Sequence, residues 1–322
     1  MVIKNGTLQS FDIANANAKN IFKNLSAKYV KYGNNPKFTI NADTIIADDF
    51  LNYDAPLSES DKAVTPEFSR MNISVTADNV VMSPEKTLKN VVFQAESPND
   101  TPRKMNITGH INKSGDIKIA LENTAYNTKS FTLLSDDAGA FLNAYDSFYY
   151  YRGGKLNVTG TIEKTVMGVP STISGHAEII DGRLIDAPVV ARIFSLASLT
   201  GIVDRLNSDG LSIDKIKADF VKIGENVTLK KGVLSGSAIG FSFSGDYNSV
   251  AGLCKIKGTL VPIYEINSFI SNVPLIGDLL TSREGEGVFG MTYTFTGTAD
   301  KPDISINPLS ALTPGILRRI FD

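Results

Sequence analysis

Met291-Thr292-Tyr293-Thr294-Phe295-Thr296 alternates strictly: its odd positions are large and apolar, and its even positions are all threonine. Successive side chains of a strand point to opposite faces, so this period gives one apolar face and one hydroxyl-bearing face. Aromatic and β-branched residues also favour extended backbone. Ile216, Ala218 and Phe220 alternate with Lys215, Lys217 and Asp219 in the same way. The chain is therefore read first as a β protein.

A short pattern of apolar residue, polar residue and glycine recurs outward from this stretch. It occurs as Ile107-Thr108-Gly109, Val158-Thr159-Gly160, Ile173-Ser174-Gly175, Leu234-Ser235-Gly236, Phe243-Ser244-Gly245, Ile256-Lys257-Gly258 and Phe295-Thr296-Gly297. Glycine there fits a bend, bulge or turn, so each unit reads as a strand ending. Their spacing is irregular, which excludes a strict solenoid repeat. The expected fold is mainly β, a long antiparallel meander with one greasy face and one Ser/Thr/Lys face. The greasy face has to be covered by a second sheet, by helices or by an apolar ligand.

Helices interrupt the meander in its C-terminal part. Asp136 to Tyr145 reads as a short helix with acidic residues at its N-terminus. The longest spans 187–207, with Pro188 in its first turn and Val189, Ile193, Leu196, Leu199, Val203 and Leu206 recurring every three or four residues. A further helical region covers 262–280, broken by Pro274. The last, 308–321, starts a short helix at Thr313-Pro314 and carries Ile316, Leu317, Ile320 and Phe321 at helical spacing, with Arg318 and Arg319 on another side. A cationic, apolar-faced helix at a chain end can dock on its own domain or lie on a membrane. The chain thus divides into a β segment over 1–135 and a region over 136–322 that carries the amphipathic helices. Within the first, Asp54 to Pro66 reads as a loop, and Met71 to Met82 and Val91 to Ala95 read as successive strands.

Composition narrows the function classes. Net charge is -2, and the basic residues are scattered, which argues against a nucleic-acid partner held through phosphates. The single cysteine, Cys254, excludes an internal disulfide and a multi-cysteine metal site. The start has no apolar signal-peptide core, and no run reaches the roughly 18 apolar residues of a spanning helix. As written, the chain reads as soluble or peripheral, or as the C-terminal part of something longer.

Catalytic chemistry is not visible. The two histidines, His110 and His176, each follow the glycine of a strand ending and read as equivalent surface turn positions. Asp136-Asp137 and Glu284-Gly285-Glu286-Gly287 are the conspicuous acidic clusters; the first suits a helix N-terminus, the second a turn. No phosphate-cradling glycine loop, nucleophile elbow or zinc-binding pair of histidines occurs. The expectation is a protein that is not an enzyme and has no catalytic residue, metal or cofactor.

Several longer motifs carry a resemblance. Asp186-Ala187-Pro188-Val189-Val190-Ala191-Arg192, Ser198-Leu199-Thr200-Gly201, Gly258-Thr259-Leu260-Val261-Pro262-Ile263-Tyr264-Glu265-Ile266-Asn267-Ser268 and Pro274-Leu275-Ile276-Gly277-Asp278-Leu279-Leu280 are followed by Glu284-Gly285-Glu286-Gly287-Val288-Phe289. The series closes with Asn307-Pro308-Leu309-Ser310-Ala311-Leu312-Thr313-Pro314-Gly315 and Leu317-Arg318-Arg319-Ile320-Phe321. In this order they resemble the AsmA-like C-terminal region of bacterial YhdP-type proteins, in the YhdP, TamB and AsmA family of bridge-like lipid transfer proteins. Asp137-Ala138-Gly139-Ala140 and Arg152-Gly153-Gly154-Lys155-Leu156 extend the likeness upstream.

The resemblance implies a Gram-negative envelope protein, periplasmic and membrane-associated. It implies a twisted sheet forming an open apolar groove that moves phospholipid between inner and outer membranes. Its partners would be phospholipid acyl chains, a membrane surface and other envelope proteins. Candidate groove residues are Ile216, Phe220, Phe243, Ile256, Met291, Tyr293 and Phe295. Candidate helix residues contacting a membrane or the groove are Leu275, Ile276, Leu279, Leu280, Ile316, Leu317, Ile320 and Phe321. The competing expectation is a structural or assembly factor for outer-membrane biogenesis that binds other proteins through a strand edge and holds no lipid.

Overall fold

The computed structural model describes residues 1–33, 35–47, 71–83, 86–97, 104–111, 115–125, 127–144, 149–163, 170–262, 290–298 and 302–307. They form seventeen strands and three helices in two compact units, Met1–Ser147 and Phe148–Asp322. The protein is mainly β, as the alternating stretches require. Among the described residues no helix is long and apolar enough to cross a membrane.

The first unit runs β1 (Val2–Lys4), β2 (Thr7–Ala18), β3 (Phe22–Tyr32), β4 (Asn35–Ile46), β5 (Met71–Ser83), β6 (Lys86–Ser97), β7 (Lys104–Ile111), β8 (Gly115–Ala125), β9 (Thr128–Ser135) and α1 (Ala138–Ala144). Asn5 and Gly6 both have positive φ, 50° and 75°, the backbone of the two-residue hairpin turn between β1 and β2. Consecutive strands from β2 to β9 pair antiparallel with one exception: β4 and β5 run parallel, in unbroken register from Lys37 opposite Asn72 to Ile46 opposite Val81. The sheet is therefore mixed, and the expectation of an antiparallel meander is corrected here. A parallel pair needs a long crossover connection, and residues 47–70 supply that length.

The apolar positions fall in register. Phe11, Tyr29, Phe38, Ile73, Ala95, Met105, Leu121 and Phe131 are successive cross-strand partners. Ile13, Ala27, Ile40, Val75, Phe93, Ile107, Ile119 and Leu133 form a second row on the same face. Helix α1 covers one end of this face, where Phe141, Ala140 and Ala144 pack on Leu88, Val91, Ile111 and Ile117. Asp137 caps the helix through an Ala140 N–H bond of 2.9 Å, and Asp136 accepts the Asp116 N–H. Asp137 thus holds the helix start, and Asp136 ties the chain before it to β8. Because α1 packs on β7 and β8, it belongs with the first unit.

The second unit runs β10 (Tyr151–Glu163), β11 (Thr172–Leu184), α2 (Pro188–Leu196), α3 (Thr200–Asn207), β12 (Leu211–Ile223), β13 (Asn226–Gly236), β14 (Ile239–Asn248), β15 (Leu253–Pro262), β16 (Met291–Gly297) and β17 (Pro302–Asn307). All its strands pair antiparallel with their chain neighbours. The expected single helix over 187–207 is two helices. Ser198 sits at φ 62°, its N–H bonds Ser195 O at 3.1 Å, and the Leu199 N–H bonds Phe194 O at 2.9 Å. This is a Schellman ending, closed by the buried pair Phe194 and Leu199. Gly201 then lies in the first turn of α3, where it costs little. The expected loop over Asp54 to Pro66 and the helical regions at 263–280 and 308–321 lie outside the described residues. Pro262 itself ends β15.

The glycine pattern has a different meaning from the one its sequence suggests. Gly109, Gly160, Gly175, Gly245 and Gly258 lie inside strands, and only Gly236 and Gly297 end them. One of them, Gly175, sits beneath an aromatic ring, as does Gly232 outside the pattern. A Cβ on Gly175 would come within 2.8 Å of the Phe220 ring, and one on Gly232 within 2.2 Å of the Phe243 ring. Absence of a side chain lets a ring lie flat on the sheet, which local sequence cannot reveal.

Candidate functional site

Among the described residues, most of the fully buried side chains lie where α2 and α3 leave the sheet. Phe194, Leu206, Ile213, Ile239 and Leu260 are fully buried there. The helices are inserted between β11 and β12, whose last and first residues, Leu184 and Leu211, are cross-strand partners. The turn is pinned by backbone bonds: Ile185 N–H to Tyr150 O at 2.8 Å, and Asp186 N–H to Leu206 O at 3.2 Å. Pro188 starts α2 without a side-chain cap, as its preset φ allows. Helix α2 turns Ile193 and Phe194 inward, while Arg192 and Ser195 lie on its outer side, the latter with its hydroxyl on Ala191 O.

An aromatic chain anchors the helix to the strands. Phe194 meets Phe241 at 5.8 Å between ring centroids, and Phe241 meets Tyr293 edge-on at 5.7 Å and 88°. Each such pair adds about 1 kcal/mol beyond area burial. Beneath α2 lies a cavity of about 160 Å³. It is lined by Leu184, Leu211, Ile213, Leu234, Ile239, Phe241, Phe243 and Tyr293 of the strands and by Val190, Ile193 and Phe194 of α2.

Among the described residues Tyr293 brings the only polar side-chain atom to this lining, and that atom is used. Its hydroxyl donates to Ser242 O at 3.0 Å, crossing Gly258, whose missing Cβ leaves room. The ladder opens here between Phe241–Leu260 and Ser244–Lys257, and Thr259 N–H bonds Ser242 Oγ at 3.0 Å. Burial pushes the Tyr293 phenol well above its ordinary pKa. The wall is therefore neutral and self-satisfied. Comparison with protein-family models, curated proteins and solved structures returns no match.

The seven residues singled out as groove candidates share one face of this unit. Ile216, Leu234, Phe241, Leu260 and Met291 are successive cross-strand partners. Phe220, Leu229, Gly245, Ile256, Phe295 and Ile304 form a parallel row. Phe243 and Tyr293 stand between the rows, opposite Gly232 and Gly258, and these two line the cavity. Ile216, Phe220, Ile256, Met291 and Phe295 lie along the face outside it and are half-buried. The eight helix candidates, Leu275, Ile276, Leu279, Leu280, Ile316, Leu317, Ile320 and Phe321, lie outside the described residues. Sequence reading passed over Phe241, although Ile239-Gly240-Phe241-Ser242-Phe243-Ser244 alternates as clearly as the stretch at Met291.

The opposite face is charged and wet. His176 and Asp219 are direct cross-strand partners with Nδ1 and Oδ1 2.8 Å apart, and His110 pairs with Asp116 in the same way in the first unit. His176 therefore stands inside a strand and not in a turn, while His110 is one residue from the end of β7; both are exposed. The His176 hydrogen bond holds the Asp219 carboxyl below its ordinary pKa, and the Lys215 bond at 3.0 Å does the same for Glu178. Such exposed pairs contribute little stability. Among the described residues no group of three His, Cys, Asp or Glu side chains could hold a metal ion. Cys254 is half-buried, its thiol on Gly297 O at 3.2 Å and its pKa raised by burial.

Proposed function

We propose that this chain is a non-enzymatic module that holds phospholipid acyl chains on the apolar face of its sheet, at the bacterial envelope. The observation that carries the reading is the pair of apolar rows running through β12 to β16 into a cavity whose only polar side-chain atom among the described residues is already bonded. A face of this kind offers hydrocarbon about 0.8 kcal/mol per buried methylene without any single essential residue.

The geometry around α2 supports a groove. The helix has nine residues, a length of roughly 13 Å. Flat strands from β11 to β17 would span roughly 29 Å at about 4.8 Å per step. Yet α2 packs on β17 and shares its cavity with β11, β12, β13, β14 and β16. Curling of this unit's sheet around the helix would bring them together.

Attachment points support a membrane-facing end. Leu184 pairs with Leu211, Ile239 with Pro262, Leu260 with Met291 and Thr292 with Asn307, so residues 185–210, 263–290 and 308–322 all leave this unit from the same end of its strands. The likeness of residues 186–322 to the AsmA-like C-terminal region points the same way. The test is photocrosslinking in cells from positions 243 and 295, followed by lipid analysis of the adducts. Phospholipid adducts at both positions are expected. Adducts with protein alone would replace this reading with that of an assembly factor.

A further inference from the structure

The apolar face changes character as it approaches α2. Leu234 and Phe243 are half-buried, as are Ile216, Phe220, Ile256 and Phe295 farther along the strands. Ile213, Ile239 and Phe194, on the far side of the same cavity, are fully buried. The cavity therefore has an open side continuous with the apolar rows and a closed side formed by the helix.

We infer that α2 is a stop, and that the cavity beneath it receives the methyl end of a single hydrocarbon chain. The inference rests on reading the apolar face as a hydrocarbon site. Chemistry of the wall selects the end of the chain that enters. A phosphate, carboxylate or glycerol group placed there would lose its water and find no free side-chain donor among the described residues, because the Tyr293 hydroxyl donates to Ser242 O. Size selects the number of chains. At about 160 Å³ the space resembles an engineered cavity of about 150 Å³ lined by Leu, Ile and Phe, which stays dry and takes benzene. It has room for the end of one tail.

Bromine position tests this in crystals of the full chain grown with a long-chain fatty acid. One acid carries bromine on its terminal carbon, and a second carries it near the carboxyl group. The expected anomalous peak of the first lies between Val190, Phe243 and Tyr293, and that of the second lies outside the cavity. The substitution Val190→Trp, which fills the cavity from the helix side, should abolish the first peak. It should also weaken binding about tenfold, the loss expected for some two methylenes kept out. A terminal bromine found elsewhere on the apolar face, with the cavity empty, would overturn the stop and leave hydrocarbon binding intact. No bromine on that face with either acid would overturn both.

Discussion

Gly258 and Tyr293 act as one device, because the phenol reaches Ser242 O only across a residue without a side chain. A Cβ on Gly258 would stand 1.8 Å from Ser242 O and 3.0 Å from the Tyr293 hydroxyl. Gly258→Ala should therefore cost about 3 kcal/mol, the upper end for overpacking, whereas Tyr293→Phe should cost about 1 kcal/mol for one lost hydrogen bond. Urea unfolding of the two variants checks the order, and equal costs would break the argument. Tyr151 presents the reverse case: its ring is fully buried over Gly182 and its hydroxyl has no partner among the described residues. Tyr151→Phe should raise stability by about 1 kcal/mol, since a buried unpaired hydroxyl is removed. Burial, with Asp181 adding to it, pushes the Tyr151 phenol from its ordinary value of 10.0 to about 12. The folded state thus favours the neutral phenol, so its contribution is complete below pH 10 and fades as pH rises towards 12. Tyr151→Phe should flatten the loss of urea resistance over that window, and an unchanged alkaline limb would contradict it.

At the scale of elements, the break between α2 and α3 stores a removable strain. Ser198 adopts φ 62°, a left-handed conformation that costs a residue with a Cβ roughly 1 kcal/mol and glycine almost nothing. Ser198→Gly should raise the melting temperature, a gain of up to about 1 kcal/mol less what glycine's freer unfolded chain takes back. A lower melting temperature would mean that the serine hydroxyl contributes more than its backbone costs. This break also shows what a sequence pattern can and cannot carry. The apolar period from Val189 to Leu206 runs on through Ala197-Ser198-Leu199, so periodicity alone reads one helix, although Leu196 within it is exposed. The alternation at Met291 to Phe295 was legible because a strand's period is local. The glycines were misread for the opposite reason: what fills the space above Gly175 is Phe220, a residue on the neighbouring strand. The reading of His176 as a turn residue failed likewise, since its partner Asp219 lies 43 residues away.

For the whole molecule, strand identity was readable and strand direction was not. Nothing in Asn35–Ile46 or Met71–Ser83 distinguishes a parallel neighbour from an antiparallel one, because both orientations put Phe38, Ile40, Ile73 and Val75 on one face. The same one-faced design recurs in each unit. The first carries two unbroken apolar rows from β2 to β9, with α1 covering only one end among the described residues. Phe93 and Phe131 on those rows are half-buried, as Phe243 and Phe295 are in the second unit. If the apolar face is what holds hydrocarbon, photocrosslinkers at 93 and 131 should capture lipid as those at 243 and 295 do. Probes at the exposed Lys118 and Lys217, on the opposite face, should capture none. The comparison is internal to one chain, so expression and access to the membrane are shared by all six positions. Adducts at 243 and 295 alone would confine the lipid site to the second unit and require the first unit's rows to be covered by protein. Equal labelling from Lys118 and Lys217 would show that the chain meets lipid only as a surface, without using its apolar face.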